Sequence, residues 1–355
     1  MKPKITIGTR SSKLALWQAI NVKEELQKHY PDLEINLKEI RTKGDHITDV
    51  ALSKVGGKGL FTKEIEDELL KGEIDLAAHS LKDLPTKLPD GLKIGAILKR
   101  EDPHDVFICK ASDKLKLPSV VSLTGSDLLA SLDASRSGPD KPDKSSQCNS
   151  LDKLLPGSRI GTSSLRRIAQ LKAIRPDLEY IDLRGNLDTR IRKLEEGHYD
   201  AIVLAYAGVK RLGFHTLITE HFRPTEILPA VGQGALAIEI RENDKEIEKL
   251  ISKLNHNETF LISVCERSFL ETLQGGCQIP IGAYSEIEDG KITLHGIIAS
   301  LDGKKMVRDK KEGMLEINVC KKTGIDLAHR LLQNGGEAIL QEIAPNRKKT
   351  EEIII

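Results

Sequence analysis

The chain has 355 residues, 39% hydrophobic and 30% charged, with 54 Lys and Arg against 53 Asp and Glu for a net charge of +1. That length suits two or three domains with real cores, and no apolar run approaches the ~18 residues of a membrane helix. Without a global field, any preference for anions must come from where single Arg and Lys residues sit, and with aromatic residues at 3% they lack a stacking platform for nucleic acid.

Lys4 to Thr9 reads as a short strand ending at Gly8-Thr9. No signal peptide or Arg/Ser-rich transit segment precedes it, so a cytoplasmic location is expected if the chain is complete, and a trimmed organellar form would look the same. Ser11 or Ser12 then caps a helix with an apolar face at Ala15, Ala19, Val22 and Leu26. Leu33, Ile35 and Leu37 alternate as a strand, Thr62 to Lys71 is a helix that stops at Gly72, and Ile74 to Ala78 is a buried strand. This is an α/β layer pattern.

Residues 158–213 repeat it. Ile7-Gly8-Thr9 with Ser11-Ser12 matches Ile160-Gly161-Thr162 with Ser163-Ser164. Pro31-Asp32-Leu33-Glu34 matches Pro176-Asp177-Leu178-Glu179, and Gly72-Glu73-Ile74-Asp75 matches Gly197-His198-Tyr199-Asp200. Three matches in one order predict two related lobes facing a cleft, with both Gly-Thr-Ser corners at strand carboxyl ends, where α/β sheets bind ligands. Between them, Lys110 to Leu155 is rich in Ser, Asp, Lys and Pro and reads as a surface insertion. Beyond Asn255, a helix from Glu258 to Leu273, antiparallel strands over Ile279 to Val319, and a helix capped by Thr323 and ending at Gly335-Gly336 predict a small α+β third domain.

Several residues are placed for chemistry. At each corner, hydroxyls and free backbone N–H groups at a helix start favour an anion, and Arg10, Arg166 and Arg167 lie close by. Arg184, Arg190 and Arg211 extend this basic set. Arg forks suit carboxylates, so a ligand with several carboxylates fits. His79-Ser80-Leu81-Lys82-Asp83 sets acid beside base after a buried strand, where Asp83 could stabilise a cation or move protons. Gly56-Gly57-Lys58-Gly59 lacks P-loop spacing and reads as a lid; Phe61 at its end could pack on a planar ligand or in the core. The five cysteines (Cys109, Cys148, Cys265, Cys277 and Cys320) are odd in number and form no C-x-x-C, which supports neither a disulfide framework nor a zinc site. On spacing alone, Gly275-Gly276-Cys277 reads as a helix C-cap beside an incidental thiol. A two-lobed anion receptor remains the alternative to an enzyme, since a fold does not fix a function. A DNA-binding regulator fits less, as no helix-turn-helix precedes the first lobe.

Seven segments, in order and spanning nearly the whole chain, resemble the porphobilinogen deaminase (hydroxymethylbilane synthase) family. They are Ile7-Gly8-Thr9-Arg10, Val55 to Phe61, His79 to Asp83, Gly161-Thr162-Ser163-Ser164-Leu165-Arg166-Arg167, Leu183-Arg184-Gly185-Asn186, Val231-Gly232-Gln233-Gly234-Ala235 and Gly275-Gly276-Cys277-Gln278-Ile279-Pro280. The resemblance implies an α/β fold of two periplasmic-binding-protein-like lobes and a small α+β third domain. Its domains would be 1–100 with 235–254, 101–234 with the insertion at about 110–155, and 255–355. It implies a transferase that deaminates porphobilinogen and links four molecules into hydroxymethylbilane on a dipyrromethane cofactor joined by a thioether to Cys277. Asp83 would be catalytic. Arg10, Lys82, Arg166, Arg167, Arg184, Arg190 and Arg211 would bind acetate and propionate groups, assisted by Ser12, Gln18, Thr162 and Ser164, with Lys58 and Phe61 on the lid. No metal, nucleic acid or membrane partner is implied, and a monomer is expected. The insertion is longer than the family pattern suggests, and a tolerated surface excursion is the reading.

Overall fold

The computed structural model describes residues 3–46, 61–110, 150–274 and 279–343. Lys58, Cys277 and residues 111–149 lie outside the described residues.

The first lobe begins with β1 (Lys4–Thr9), α1 (Lys13–His29), β2 (Glu34–Glu39), α2 (Lys43–His46), α3 (Lys63–Lys71), β3 (Leu76–Ser80) and β4 (Leu92–Ile97). Ser12 starts α1 by accepting the Ala15 N–H on its hydroxyl at 3.3 Å. The stripe Ala15, Ala19, Val22 and Leu26 is buried against the sheet. Gly72 closes α3 with φ +77°, a left-handed cap.

The second lobe contains β5 (Asp105–Cys109), β6 (Arg159–Gly161), α4 (Leu165–Ile174), β7 (Glu179–Ile181), α5 (Leu187–Glu195), β8 (Ala201–Ala205), α6 (Tyr206–Arg211) and β9 (Glu220–His221). The chain then returns: β10 (Leu236–Arg241) lies in the first sheet, followed by α7 (Lys245–Ile251). The sheet orders are β2-β1-β3-β10-β4 and β7-β6-β8-β5-β9. In each, three parallel strands are followed by an antiparallel one, β10 on β3 and β5 on β8.

The internal repeat extends to single bonds. Thr6 N–H donates to Asp75 Oδ2 at 2.8 Å, and Arg159 N–H donates to Asp200 Oδ2 at 2.7 Å. In return, Asp75 N–H donates to the Thr6 carbonyl and Asp200 N–H to the Arg159 carbonyl, both at 2.9 Å. These aspartates fasten the chain before β3 and β8. The ladder of β3 therefore starts at Leu76, later than the Ile74 start the sequence suggests, while Ile74 packs over Gly8.

Two crossings join the lobes, 98–104 outward and 222–235 back. They run side by side: Leu98 N–H donates to the Leu236 carbonyl at 3.0 Å, and Glu101 N–H to the Gly234 carbonyl at 3.2 Å. Gly234 has φ +88°, and a Cβ there would lie 2.3 Å from the Glu101 carbonyl oxygen, so only glycine permits this approach.

The third unit packs α8 (Asn257–Thr272) and α9 (Ile317–Leu331) on the antiparallel sheet β11 (Ile281–Glu288), β12 (Lys291–Ala299) and β13 (Met306–Met314). Here the structure corrects the sequence reading. The last helix starts at Ile317, not at a Thr323 cap, because Cys320, Thr323, Gly324, Leu327, Ala328 and Leu331 form one buried stripe. It also resumes beyond a kink at Gly335, φ +105°. The insertion is shorter than read at its far end, since Leu151 and Leu154 are buried in the second lobe and Leu151 N–H donates to Glu220 at 2.7 Å. Cys265 and Cys320 are free and buried, while Cys109 is disulfide-bonded, which the odd cysteine count does not suggest.

Candidate active site

β3 delivers its residues to the cleft. Leu81, buried, pins a single 3₁₀ turn (Leu81–Asp83), which leaves Asp83 exposed and Lys82 partly covered. Arg10, Ser12, Gln18, Phe61, His79, Ser80 and Asp83 line one cavity of about 60 Å³. Gln18 Nε2 donates to Ser80 Oγ at 2.7 Å, and the Arg10 guanidinium lies 4.3 Å from the Phe61 ring centre. A larger groove of about 400 Å³, lined by residues 86–94 with Glu242, Arg267 and Glu271, contains none of these side chains.

The second lobe contributes cations. Ser164 caps α4, accepting the Arg167 N–H at 3.5 Å, and its own N–H donates to Thr162 Oγ1 at 3.4 Å. Arg166 and Arg167 turn inward onto one carboxylate: Arg166 Nη1 to Asp105 Oδ2 at 2.6 Å and Arg167 Nη2 to Asp105 Oδ1 at 2.7 Å, all three side chains buried. Burial would raise the Asp105 pKa, but the two guanidinium groups hold it well below the carboxylate range. The trio keeps one net positive charge, and Arg167 Nε is buried without a hydrogen-bond partner. Arg184 donates to Asp182 at 2.6 Å and Arg190 to the Gly185 carbonyl at 2.8 Å. Burial, with Arg167 and Arg184 nearby, brings Arg190 down to about 10, still charged at neutral pH. Arg211 donates to the Gly234 carbonyl at 2.7 Å and stacks 5.3 Å over Trp17 from the first lobe.

Sequence reasoning assigned no role to the residue that links these sets. Gln233, on the return crossing, accepts from Lys82 Nζ at 3.4 Å and donates to Asp105 Oδ1 at 2.9 Å and the Pro103 carbonyl at 2.6 Å. Its segment, Val231 to Ala235, was visible as a motif; its bonds depend on two lobes meeting. Asp105 and Trp17 carried no local signal. Burial pushes the Lys82 ammonium down to about 8, with Arg167 and Arg166 adding to the fall and Asp83 opposing it.

A family model described as porphobilinogen deaminase, dipyrromethane cofactor binding domain, matches residues 5–249. The chain belongs to the porphobilinogen deaminase family. A second model, the porphobilinogen deaminase C-terminal domain, matches residues 260–333. The porphobilinogen deaminase of Carboxydothermus hydrogenoformans is 48% identical over 97% of this chain and 98% of its own, and that of Syntrophomonas wolfei is 47% identical over 95% and 98%. Among solved structures, the methionine binding protein MetQ covers 74% of this chain and 95% of its own at 13% identity, with a TM-score of 0.39. As a member of that family, the chain is a transferase that joins four porphobilinogen molecules head to tail into hydroxymethylbilane, with dipyrromethane as cofactor. Its fold is two α/β lobes, each on a five-stranded sheet, plus a smaller third domain of three antiparallel strands and helices. Among the described residues, no helix is long and apolar enough to cross a membrane.

The cleft fits a pyrrole cofactor that carries acidic side chains. Lys82, Arg190 and Arg211 end on amide or carbonyl oxygens rather than carboxylates. Arg211 is buried and the other two half-covered, and cations held on neutral oxygens with so little counter-charge call for an anionic ligand.

Proposed function

We propose that porphobilinogen is condensed in the cleft between the lobes, with Asp83 as the catalytic residue. One observation carries this reading: the exposed carboxylate of Asp83, on a rigid turn, sits at the cavity shared by Arg10, Ser12 and Gln18, and the cations of the second lobe lie across from it. Cys277 would hold the dipyrromethane through a thioether, and the bound cofactor would supply the first nucleophilic pyrrole carbon. Asp83 accepts hydrogen bonds from pyrrole N–H groups and stabilises the positive charge that develops as ammonia leaves. Lys82, Arg10, Arg184, Arg190 and Arg211 hold the acetate and propionate groups. Arg166 and Arg167, braced by Asp105, add one net charge, with Arg167 Nε as the contact atom. Ser12, Gln18, Thr162 and Ser164 orient rings and carboxylates, and Lys58 and Phe61 belong to the lid.

In this reading residues 1–100 with 235–254, 101–234 and 255–355 are the three domains, and the enzyme works as a cytoplasmic monomer without nucleic acid. Gel filtration with light scattering tests the monomer. The test of the chemistry is the intact mass of the purified protein with a peptide map over Cys277. An adduct of two pyrrole units at Cys277, absent from Cys277→Ser, supports the assignment. An unmodified thiol in folded, active protein would refute it.

A further inference from the structure

Behind the cavity lies a buried acid–base cluster that the assigned roles do not use. His79 stands on β3 and lines the same cavity as Asp83. Its Nε2 is 3.1 Å from Glu239 Oε2 on β10, with side-chain exposures of 6% and 0%. The two atoms are close but not aligned as a hydrogen bond. His79 Nε2, both carboxylate oxygens of Glu239 and Glu66 Oε1 are buried without a hydrogen-bond partner. Glu66, on α3, is also buried. Burial raises its pKa, and the nearby Glu239 raises it further while His79 opposes.

Native interiors rarely leave such groups unsatisfied, and where they do a function or a proton is commonly involved. Glu66 and Glu239 crowd each other beside the imidazole, and like charges this close favour a proton held within the cluster. The charged groups around the cluster are Asp67 beside Glu66 on α3, Arg267 of α8 near Glu239, and Arg10 after β1 and Asp83 after β3, which line the cavity with His79. Histidine is the side chain suited to exchanging a proton near neutral pH.

The reaction requires such an exchange. In each round the aminomethyl group, an ammonium, leaves as ammonia and a new carbon–carbon bond forms. The attacked pyrrole carbon then loses its proton, and ammonia departs into water as ammonium. We propose that His79, Glu239 and Glu66 form a proton store behind the cleft, in which the imidazole takes the proton lost from carbon, holds it against Glu239, and releases it to water, where the ammonia already expelled becomes ammonium. No proton is gained or lost over the round. This rests on the cleft being the condensation site.

The test compares pH–rate profiles of the holoenzyme with those of His79→Gln and Glu239→Gln, with thermal melts as a control for folding. The store predicts turnover lowered on the order of 10²-fold and a limb of the profile moved by about one pH unit. Profiles that keep the wild-type shape in a folded variant would overturn it, since a purely structural pair changes melting and not pH dependence. Infrared difference spectra provide a readout apart from turnover. A protonated-carboxyl band near neutral pH, lost in Glu66→Gln, supports the store; a wild-type spectrum without that band overturns it. Asp83→Ala separates the two readings. If it abolishes turnover while His79→Gln is unaffected, only the store fails; if Asp83→Ala stays active, the site itself is misplaced.

Discussion

Arg100, on the outward crossing, grips both carboxylate oxygens of Glu266 in α8, at 2.8 and 3.2 Å, with both side chains buried. Glu266 also accepts the backbone N–H groups of Gly232 at 2.8 Å and Ser285 at 3.0 Å, and Arg100 Nε donates to the Gln233 carbonyl at 2.8 Å. One ion pair thus ties both crossings to the third domain. Removing either partner strands a buried charge, so Arg100→Ala or Glu266→Ala should cost about 3–5 kcal/mol. Urea unfolding of the holoprotein measures this; a loss under about 1 kcal/mol would count against the pair as the joint.

Asp105 gives the stability a pH signature. Its pKa is lowered in the folded state, so its contribution is present above the unfolded carboxylate pKa of ~3.9 and is lost as pH falls below it. The wild type should therefore lose stability through that acid range. Asp105→Asn should be less stable at neutral pH, because Arg166 and Arg167 lose their shared counter-ion, and should respond less to acid. Melting temperature against pH for both proteins is the measurement.

Lys82 affects binding at the alkaline side. With its folded pKa down to about 8, its ammonium is lost as pH rises past that value, and KM for porphobilinogen should rise with it. The sign for stability is opposite: the burial penalty is full below about 8 and fades toward the unfolded value of ~10.4. Lys82→Arg should keep KM flat to higher pH, because a guanidinium stays charged. A KM that climbs equally in both proteins would remove Lys82 from the binding set.

Asp83 is exposed, so its loss should leave the fold alone. Asp83→Asn keeps the shape and removes the charge; turnover should fall at least ~10²–10³-fold while stability moves by less than about 0.5 kcal/mol. Product formation and thermal melts on one preparation separate these effects.

Much of the fold was legible because it is written twice. The Gly-Thr-Ser corners and the Asp75 and Asp200 staples recur at matching places, and period and capping set their strands and helices. The start of α9 was missed because Thr323 looks like a cap, and its burial against Gly313 depends on a sheet that folds over it. Within the site, residues next to a strand end, such as Asp83 and Lys82, could be found from local order. Gln233, Asp105 and Trp17 could not: each acts through a partner far along the chain, and no local spacing records that meeting.

The late return of β10 into the first sheet has a consequence for biosynthesis. β10 sits between β3 and β4, so the lobe that leaves the ribosome first stays open until the second lobe has been made. At ordinary rates of translation this delay is on the order of ten seconds. The second lobe, whose strands are contiguous in the chain, can close earlier. During that interval the edges of β3 and β4 are unpaired, and nascent chains should be most exposed to misassembly there.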